Sequence, residues 1–268
     1  MKKLVVFALI GILCFGAIIL AAPLKGSIQI VGSTSVQPLA EELAQAFMAK
    51  NKNVKIFVQG GGSGAGIKAA MTGTADIGTS SRELEPTETG VVETVIAKDG
   101  IAIIVNKSNA VTDLTLDQLQ KIYSGAITNW KEVGGPNMKI QVVNREAGSG
   151  TRGAFEEIVL KPAKLSNTSD CLVQASTGAV QQTVAITKEA IGYVSLGSLD
   201  KTAVKPLTLN GVECNEKNIM AKTYKVQRPF LMLTKTTPTG VVKAFLDWVV
   251  GPEGQKIVGK EFITVIQK

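Results

Sequence analysis

Several residue types that support common enzyme chemistries are scarce or missing in this sequence. It contains no histidine, three cysteines and only 5% aromatic residues. Histidine is the commonest zinc ligand and the usual general base near neutral pH, so its absence leaves little support for a zinc enzyme or a hydrolase. Lysine and arginine are scattered, without a basic run or interleaved aromatic residues, which argues against a nucleic-acid partner. We therefore predict no metal, no cofactor and no nucleic-acid ligand.

The residues that are present are typical of a well-packed globular protein. The chain has 268 residues, is 45% hydrophobic and contains 27 glycines, which fits two domains rather than one. Its net charge is +7, and the N-terminal residues Lys2 and Lys3 account for two of these charges, so the rest carries 7 − 2 = +5. A positive balance of this size suits an anionic ligand only weakly.

The N-terminal segment predicts export. Two lysines precede an uncharged apolar stretch over residues 4–22. This stretch exceeds the ~7–15 residues of a usual signal h-region and reaches the ~18 residues that can span a bilayer. Residues 1–24 are therefore predicted as either a cleaved signal peptide or a retained membrane anchor. In both cases the remainder is exported, to the periplasm or the cell surface.

Beyond this segment only Cys171 and Cys214 remain. An even number of cysteines in an oxidising compartment makes a disulfide between them a candidate, and both pairing and free thiols stay open.

Short β-rich runs alternate with helical patterns along the exported part. This alternation predicts an α/β fold with largely parallel sheets. The predicted strands cover residues 28–31, 54–58, 101–105, 140–143, 191–194 and 230–233. The predicted helices cover residues 36–47, 114–123, 180–187, 240–248 and 254–259.

Three loops rich in glycine, serine and threonine each follow a predicted strand and precede a helical pattern, at residues 31–36, 59–67 and 144–152. A helix N-terminus carries unsatisfied N–H groups, and glycine lets an anion approach the backbone. Serine and threonine hydroxyls add rotatable donors, and Arg145 offers a charged, bidentate fork. A helix cap or a turn would explain any one loop alone. The three together predict a site for a tetrahedral oxyanion.

Rival motifs do not fit these loops. The glycines of residues 60–66 match neither the Walker A spacing nor the dinucleotide fingerprint, which argues against a nucleotide. Ser63 and Ser149 are flanked by glycine, but neither lies in a Gly-x-Ser-x-Gly frame. Without a histidine to activate a hydroxyl, a serine hydrolase is also a poor fit.

Six segments, taken in chain order, carry a resemblance to a known family. They are Gly32-Ser33-Thr34-Ser35-Val36-Gln37-Pro38-Leu39, Gly60 to Lys68, Asp76 to Arg82, Arg145 to Arg152, Ala190-Ile191-Gly192-Tyr193 and Tyr224 to Pro229. In these segments the chain resembles the PstS-type phosphate-binding receptors of ABC phosphate uptake systems, a branch of the extracytoplasmic solute-binding proteins. The resemblance covers nearly the whole exported chain.

The resemblance implies a fold of two α/β lobes, the type II periplasmic-binding-protein-like fold. Two crossover strands, at residues 101–105 and 229–233, would join the lobes, and the anion would lie in the cleft between them. The first lobe would be discontinuous, formed by residues 25–104 and 229–268, and the second would span residues 105–228.

The resemblance also implies the ligands of the anion. Most of the implied ligand positions carry a hydroxyl or a backbone N–H, and one carries a guanidinium. They are Thr34, Ser35 and Ser63 in the first lobe and Arg145, Ser149, Gly150 and Thr151 in the second.

Ser81 departs from the pattern of the best-known members of the family. Those members carry an aspartate there, which accepts the proton of hydrogen phosphate. We include Ser81 among the phosphate-binding residues. A hydroxyl can donate or accept, so the serine weakens the argument for phosphate over sulfate.

The function implied by the resemblance is that of a monomeric receptor, not an enzyme, that binds inorganic phosphate and delivers it to the permease subunits of an ABC transporter. A receptor of the same fold for sulfate, molybdate or tungstate is the first alternative. A phosphatase lacks support, because no metal-ligand cluster or activated nucleophile is visible. A surface adhesion module is the remaining alternative. We expect the charged residues near the loops to have structural or orienting roles: Asp76, Arg82, Glu83 and Glu146.

Overall fold

The computed structural model describes residues 23–266. The predicted targeting segment lies outside this range except for its last two residues, so its cleavage or retention stays a prediction. Among the described residues, no helix combines the length and the apolar character needed to cross a bilayer.

Strands and helices alternate along the described part of the chain, as the sequence predicts. The strands are β1 (Gly26–Gly32), β2 (Val54–Gly60), β3 (Ile77–Ser80), β4 (Val92–Asn106), β5 (Asp113–Leu114), β6 (Gln141–Arg145), β7 (Cys171–Gln174), β8 (Ala190–Ser195), β9 (Val204–Pro206), β10 (Thr208–Leu209) and β11 (Gln227–Thr234). The α-helices are α1 (Gln37–Lys50), α2 (Ser63–Thr72), α3 (Leu116–Tyr123), α4 (Gly150–Phe155), α5 (Thr177–Ile186), α6 (Glu216–Met220), α7 (Gly240–Val250) and α8 (Pro252–Val258). Each predicted strand and helix corresponds to one of them, and the strand predicted at residues 101–105 is the second half of β4.

The main sheet has the strand order β2-β1-β3-β11-β4-β8-β6-β7, with β9 also paired to β4. Strand β1 is parallel to β2 and β3, and β6 is parallel to β7 and β8. Strand β11 is antiparallel to β3 and β4, and β4 is antiparallel to β8 and β9. The prediction of parallel pairing therefore holds within each end of the sheet, whereas the two central strands are antiparallel.

One hydrophobic core forms around β1, β2, β3 and β11, and we call this part of the molecule the first lobe. Ile28 and Ile30 alternate inward on β1. Helix α1 turns Leu43 and Phe47 toward them, because residues four apart lie on the same helix face. The ring of Phe47 meets that of Phe245 on α7 edge to face, with 5.3 Å between the centroids. These contacts hold α1 and α7 against the sheet.

A second core forms around β6, β7, β8 and β9, and we call this part the second lobe. Phe155 at the end of α4 stacks on Tyr193 of β8, with 4.4 Å between the ring centroids and 8° between the ring planes. Both side chains are buried. This stack fixes α4 on the sheet and thereby positions the loop that precedes it.

Strands β4 and β11 link the two lobes. The first half of β4 places Ile96 and Ala97 in the first core, and its second half places Ile103 and Val105 in the second core. Strand β11 runs antiparallel beside the first half of β4, and its Arg228 lies opposite Asp99. The prediction of two lobes and two crossover strands is confirmed. The lobe boundaries predicted after residues 104 and 228 stay predictions.

The candidate disulfide between Cys171 and Cys214 is not formed in this structure. Cys171 and Cys214 are both free. Cys171 begins β7, whereas Cys214 packs beside Gly100 of β4, where a Cβ built on the glycine would lie 2.7 Å from the sulfur. Strands β8 and β6 separate β4 from β7, which places about three strand spacings of ~4.8 Å between the two sites. A disulfide needs Cα atoms within ~7 Å, so the two thiols cannot meet.

Candidate anion-binding site

The first glycine/hydroxyl loop connects β1 to α1. Gly32 has a φ of +147°, and a Cβ there would lie 2.3 Å from the carbonyl oxygen of Thr79, so the close approach of β1 and β3 requires glycine. The Ser33 hydroxyl then accepts from the N–H groups of Ser35 and Val36, at 3.2 and 3.4 Å. These two hydrogen bonds to the Ser33 side chain hold the loop closed. Thr34 and Ser35 face the second lobe.

The second loop connects β2 to α2 through two glycines, Gly61 and Gly62. Gly62 has a φ of +85°, a left-handed conformation that favours glycine. Ser63 opens α2, is completely buried, and accepts from the backbone N–H of Ser81 at 3.0 Å.

The third loop connects β6 to α4. The Ser149 hydroxyl caps α4 by accepting from the N–H of Arg152 at 3.2 Å. Asn144 on β6 accepts from the N–H of Arg145 at 2.8 Å and also from the hydroxyl of Tyr193. These bonds fix the end of β6, from which the Arg145 side chain extends toward the first lobe.

Side chains from both lobes meet at one point. The Ser35 oxygen lies 2.9 Å from that of Thr151 and 2.7 Å from that of Thr177. The Thr34 hydroxyl accepts from Arg145 at 3.3 Å. All of these groups except Thr34 are buried. The result is a ring of hydroxyls around a guanidinium, closed between the lobes.

Arg145 is the charged centre of this ring, and its side chain is only 2% exposed. Glu146 accepts from Nε at 2.9 Å and from Nη2 at 2.8 Å, which compensates the buried charge. Nη1 donates to the Thr177 hydroxyl at 3.3 Å. Glu146 holds the edge formed by Nε and Nη2, and Nη1 together with the second hydrogen of Nη2 is directed at the hydroxyl ring.

The other side of the ring is formed by Ser81, Ser63 and Gly150. The hydroxyl oxygens of Ser81 and Ser63 are 3.4 Å apart. A Cβ on Gly150 would lie 2.1 Å from the Ser63 oxygen and 2.8 Å from that of Ser81, so only glycine fits between the lobes here. Ser81 also accepts from Arg228, which forms a buried ion pair with Asp99.

The ion pair of Asp99 and Arg228 is fully enclosed. Burial raises the pKa of the Asp99 carboxyl above its ordinary value, against the opposing effect of Arg228. Burial also lowers the pKa of Arg228, but a guanidinium stays protonated in proteins. The Asp99 carboxylate accepts two hydrogen bonds from Arg228 and two from groups of the second lobe.

Seven of the eight sequence-predicted ligands lie directly in the hydroxyl ring or against it. The eighth, Ser149, caps α4 next to the ring and makes no hydrogen bond to it among the described residues. Glu146, for which a structural or orienting role is expected, forms an ion pair with Arg145. Two of the other charged neighbours also have structural partners: Asp76 accepts from the N–H of Gln29, and Arg82 pairs with Glu88.

Sequence reasoning missed Thr177, Arg228 and Asp99. Thr177 belongs to a fourth strand–hydroxyl–helix junction, in which Ser176 caps α5 by accepting from the N–H of Ala179. The run Ser176-Thr177-Gly178 has the composition of the first three loops, but the sequence analysis predicts no strand before it, since β7 is not among the predicted strands. Arg228 and Asp99 carry no such local signal, because they meet only through the pairing of β4 with β11.

Two lobes joined by two adjacent strands, with a buried polar ring between them, define the class of two-lobed solute-binding receptors. Residues 20–253 match the family described as PBP superfamily domain. The chain belongs to the PstS-type phosphate-binding proteins of this superfamily. Members of the family are substrate-binding receptors of ABC transport rather than enzymes, and they act outside the cytoplasm.

Individual relatives agree with this assignment. The phosphate-binding protein PstS of Bacillus subtilis is 35% identical over 238 residues, which cover 87% of this chain and 78% of that protein. A crystal structure from Clostridium perfringens, assigned as a phosphate ABC transporter substrate-binding protein and solved with bound phosphate, is 44% identical with a TM-score of 0.84, over 90% of this chain and all of that one. An ABC-type phosphate transport receptor from Vibrio cholerae is 35% identical with a TM-score of 0.73, over 89% of this chain and all of that one.

Proposed function

We propose that this protein is the exported receptor of an ABC-type phosphate uptake system. It closes over inorganic phosphate between its lobes and delivers it to the permease subunits of the transporter. The observation that carries the proposal is the buried Arg145 guanidinium at the centre of hydroxyls from both lobes. The membership of the chain in the PstS-type family supports phosphate as the anion.

The chemistry of the ring suits a tetrahedral oxyanion. Hydroxyls and a guanidinium are donors to negatively charged oxygens, and such charge-assisted bonds are roughly twice as strong as neutral ones. Within residues 23–266 the one carboxylate at the ring is that of Glu146, which is already paired with Arg145 and so adds little repulsion. We assign phosphate binding to the predicted set and add one residue to it: Thr34, Ser35, Ser63, Ser81, Arg145, Ser149, Gly150 and Thr151, with Thr177.

Lobe closure supplies part of the binding site. The contacts of Ser35 with Thr151 and Thr177 join residues that lie more than a hundred positions apart in the chain. A ligand held by both sides stabilises the closed arrangement over an open one, which is the hinge closure used by binding proteins of this kind. A permease can then recognise the closed, loaded receptor. We further propose that the receptor acts as a monomer, held at the membrane if its N-terminal segment is retained.

The test is calorimetry on protein that begins at residue 25, after unfolding and refolding to remove any phosphate that is carried through purification. We expect saturable binding of one phosphate per chain. Sulfate, molybdate and tungstate, the alternative ligands of this fold, are titrated in parallel and as competitors. Absence of phosphate binding, or tighter binding of another oxyanion, would overturn phosphate as the ligand.

A further inference from the structure

The ion pair of Asp99 and Arg228 lies at the junction of the two lobes. The residues face each other on β4 and β11, and their side chains are 0% and 1% exposed. Arg228 donates to Asp99 Oδ2 from Nε at 3.0 Å and from Nη2 at 2.9 Å. Asp99 Oδ1 accepts from the Ser195 hydroxyl at 2.9 Å and from the N–H of Leu196 at 3.1 Å. Four bonds to one carboxylate fix the Arg228 guanidinium in a single orientation.

This orientation turns Nη1 of Arg228 toward Ser81. Nη1 donates to the Ser81 carbonyl oxygen at 3.1 Å and to its hydroxyl oxygen at 3.2 Å. The Ser81 hydroxyl oxygen receives a second bond, from the hydroxyl of Ser33 at 2.9 Å. Ser33 has its own acceptor positions occupied by the N–H groups of Ser35 and Val36, so its hydrogen is directed to Ser81.

The hydrogen-bonding capacity of the Ser81 hydroxyl is therefore decided by its neighbours. A hydroxyl has one hydrogen to donate and two lone pairs that accept. Both lone pairs of Ser81 are occupied, by Arg228 and Ser33. Only the hydrogen is left, and it can be used only to donate; the neighbouring Ser63 oxygen lies 3.4 Å away, close to the limit of a hydrogen bond.

We propose that Arg228, held by Asp99, is a positioning residue that makes the Ser81 hydroxyl an obligate hydrogen-bond donor to the bound oxyanion. The inference rests on the proposed anion-binding function and concerns how the same site discriminates between anions. At this position a bare anionic oxygen is bound well, whereas the hydroxyl of a protonated anion finds no acceptor. Sulfate, which carries no proton at neutral pH, thus meets no penalty at Ser81.

Selectivity between phosphate and sulfate should depend on the contact between Arg228 and Ser81. If Arg228 is replaced so that it no longer reaches Ser81, one lone pair of the serine becomes available. The hydroxyl can then rotate and accept the proton of hydrogen phosphate, an option that sulfate cannot use. Loss of the Arg228 contact should therefore weaken sulfate binding more than phosphate binding.

The experiment is a double-substitution cycle with Arg228→Lys and Ser81→Ala, in which calorimetry gives the affinity for phosphate and for sulfate. Lysine keeps a charge beside Asp99 but lacks the fork that reaches both partners. We expect Arg228→Lys to weaken sulfate binding about tenfold and phosphate binding less, so that the ratio of phosphate to sulfate affinity rises. In the Ser81→Ala background, Arg228→Lys should leave that ratio unchanged.

The matched control is Arg82→Lys, since Arg82 pairs with Glu88 in the neighbouring loop and makes no bond to the Ser81 hydroxyl. If Arg228→Lys weakened both anions equally, and did so with or without the Ser81 hydroxyl, Arg228 would have only a structural role and the inference would be overturned. Wild-type protein that binds neither anion would instead overturn the proposed function itself. If Arg228→Lys does not fold, the combined Asp99→Asn and Arg228→Gln variant, which leaves no unpaired buried charge, makes the same comparison.

Discussion

The backbone N–H of Gly64 lies 3.0 Å from the carbonyl oxygen of Gly148 and donates to it, which joins the two lobes without any side chain. Gly64 is in the first turn of α2, and Gly148 is in the loop before α4. The lobes approach this closely because glycines line both sides of the cleft. Closure over an anion therefore depends on small residues as much as on ligand groups.

Gly150→Ala should prevent full closure. The added methyl would lie 2.1 Å from the Ser63 oxygen, a distance that forces the lobes apart. Overpacking of this kind costs ~1–3 kcal/mol, so we expect phosphate affinity to fall by roughly tenfold to a hundredfold. Gly178→Ala is the control, because a Cβ there meets nothing within 4 Å. Equal affinities for the two variants would show that the lobes do not close as described.

Arg145→Ala should reduce phosphate binding by at least ~2 kcal/mol, because a buried anion would lose its charge-assisted bonds. Glu146→Gln should have a smaller effect, since it weakens the orientation of Arg145 but keeps the guanidinium. Calorimetry on both variants gives the comparison. An unchanged affinity for Arg145→Ala would remove this residue from the site, and abolished binding in a folded Glu146→Gln would make Glu146 a direct ligand.

Both cysteines should be detectable as thiols, with different reactivities. Burial raises the pKa of the Cys214 thiol far above its ordinary value, so the reactive thiolate is scarce and enclosed. The pKa of Cys171 is also raised by burial, but this residue is partly exposed. In unreduced protein that begins at residue 25, maleimide should label Cys171 slowly and Cys214 only after unfolding. If neither cysteine were labelled in denaturant, the result would show that the two are joined in a disulfide.

The pair of Arg82 and Glu88 should make a pH-dependent contribution to stability. Arg82 donates to Glu88 at 2.6 Å, and this hydrogen bond lowers the pKa of Glu88 below its ordinary 4.5. A carboxyl whose folded-state pKa is lowered stabilises the fold above its unfolded pKa and loses that contribution as pH falls through the folded value. The difference in unfolding free energy between wild type and Glu88→Gln should thus be present at pH 7 and vanish in acid.

Urea unfolding at several pH values measures that difference. Glu83→Gln is the control, because the Glu83 carboxylate forms no salt bridge within residues 23–266. A difference between wild type and Glu88→Gln that stayed constant from neutral to acidic pH would show that the ion pair contributes nothing through its charge.

Local patterns predicted much of the fold and of the site. The apolar alternation of Ile28 and Ile30 and the helical spacing of Leu43 and Phe47 specify β1 and α1 without any tertiary information. Each glycine/hydroxyl loop was visible for the same reason, since strand, loop and helix follow one another in the chain. The pairing of the cysteines stayed open in the sequence because an even count of cysteines says nothing about which strands separate them. The strand order β4-β8-β6-β7 places two strands between the two cysteines and so keeps their sulfur atoms apart.

The sequence by itself determined which donors the protein has and that three groups of them follow a predicted strand, because these are properties of consecutive residues. Only the tertiary structure decided which of these donors lie together in the hydroxyl ring between the lobes. Thr34 and Arg145 are 111 residues apart in the chain and 3.3 Å apart in the folded protein. Arg228 reaches Ser81 because β11 lies between β3 and β4 and because Asp99 fixes the guanidinium. A serine hydroxyl can either donate or accept a hydrogen bond, and the groups packed around it in the folded protein decide which of the two it does.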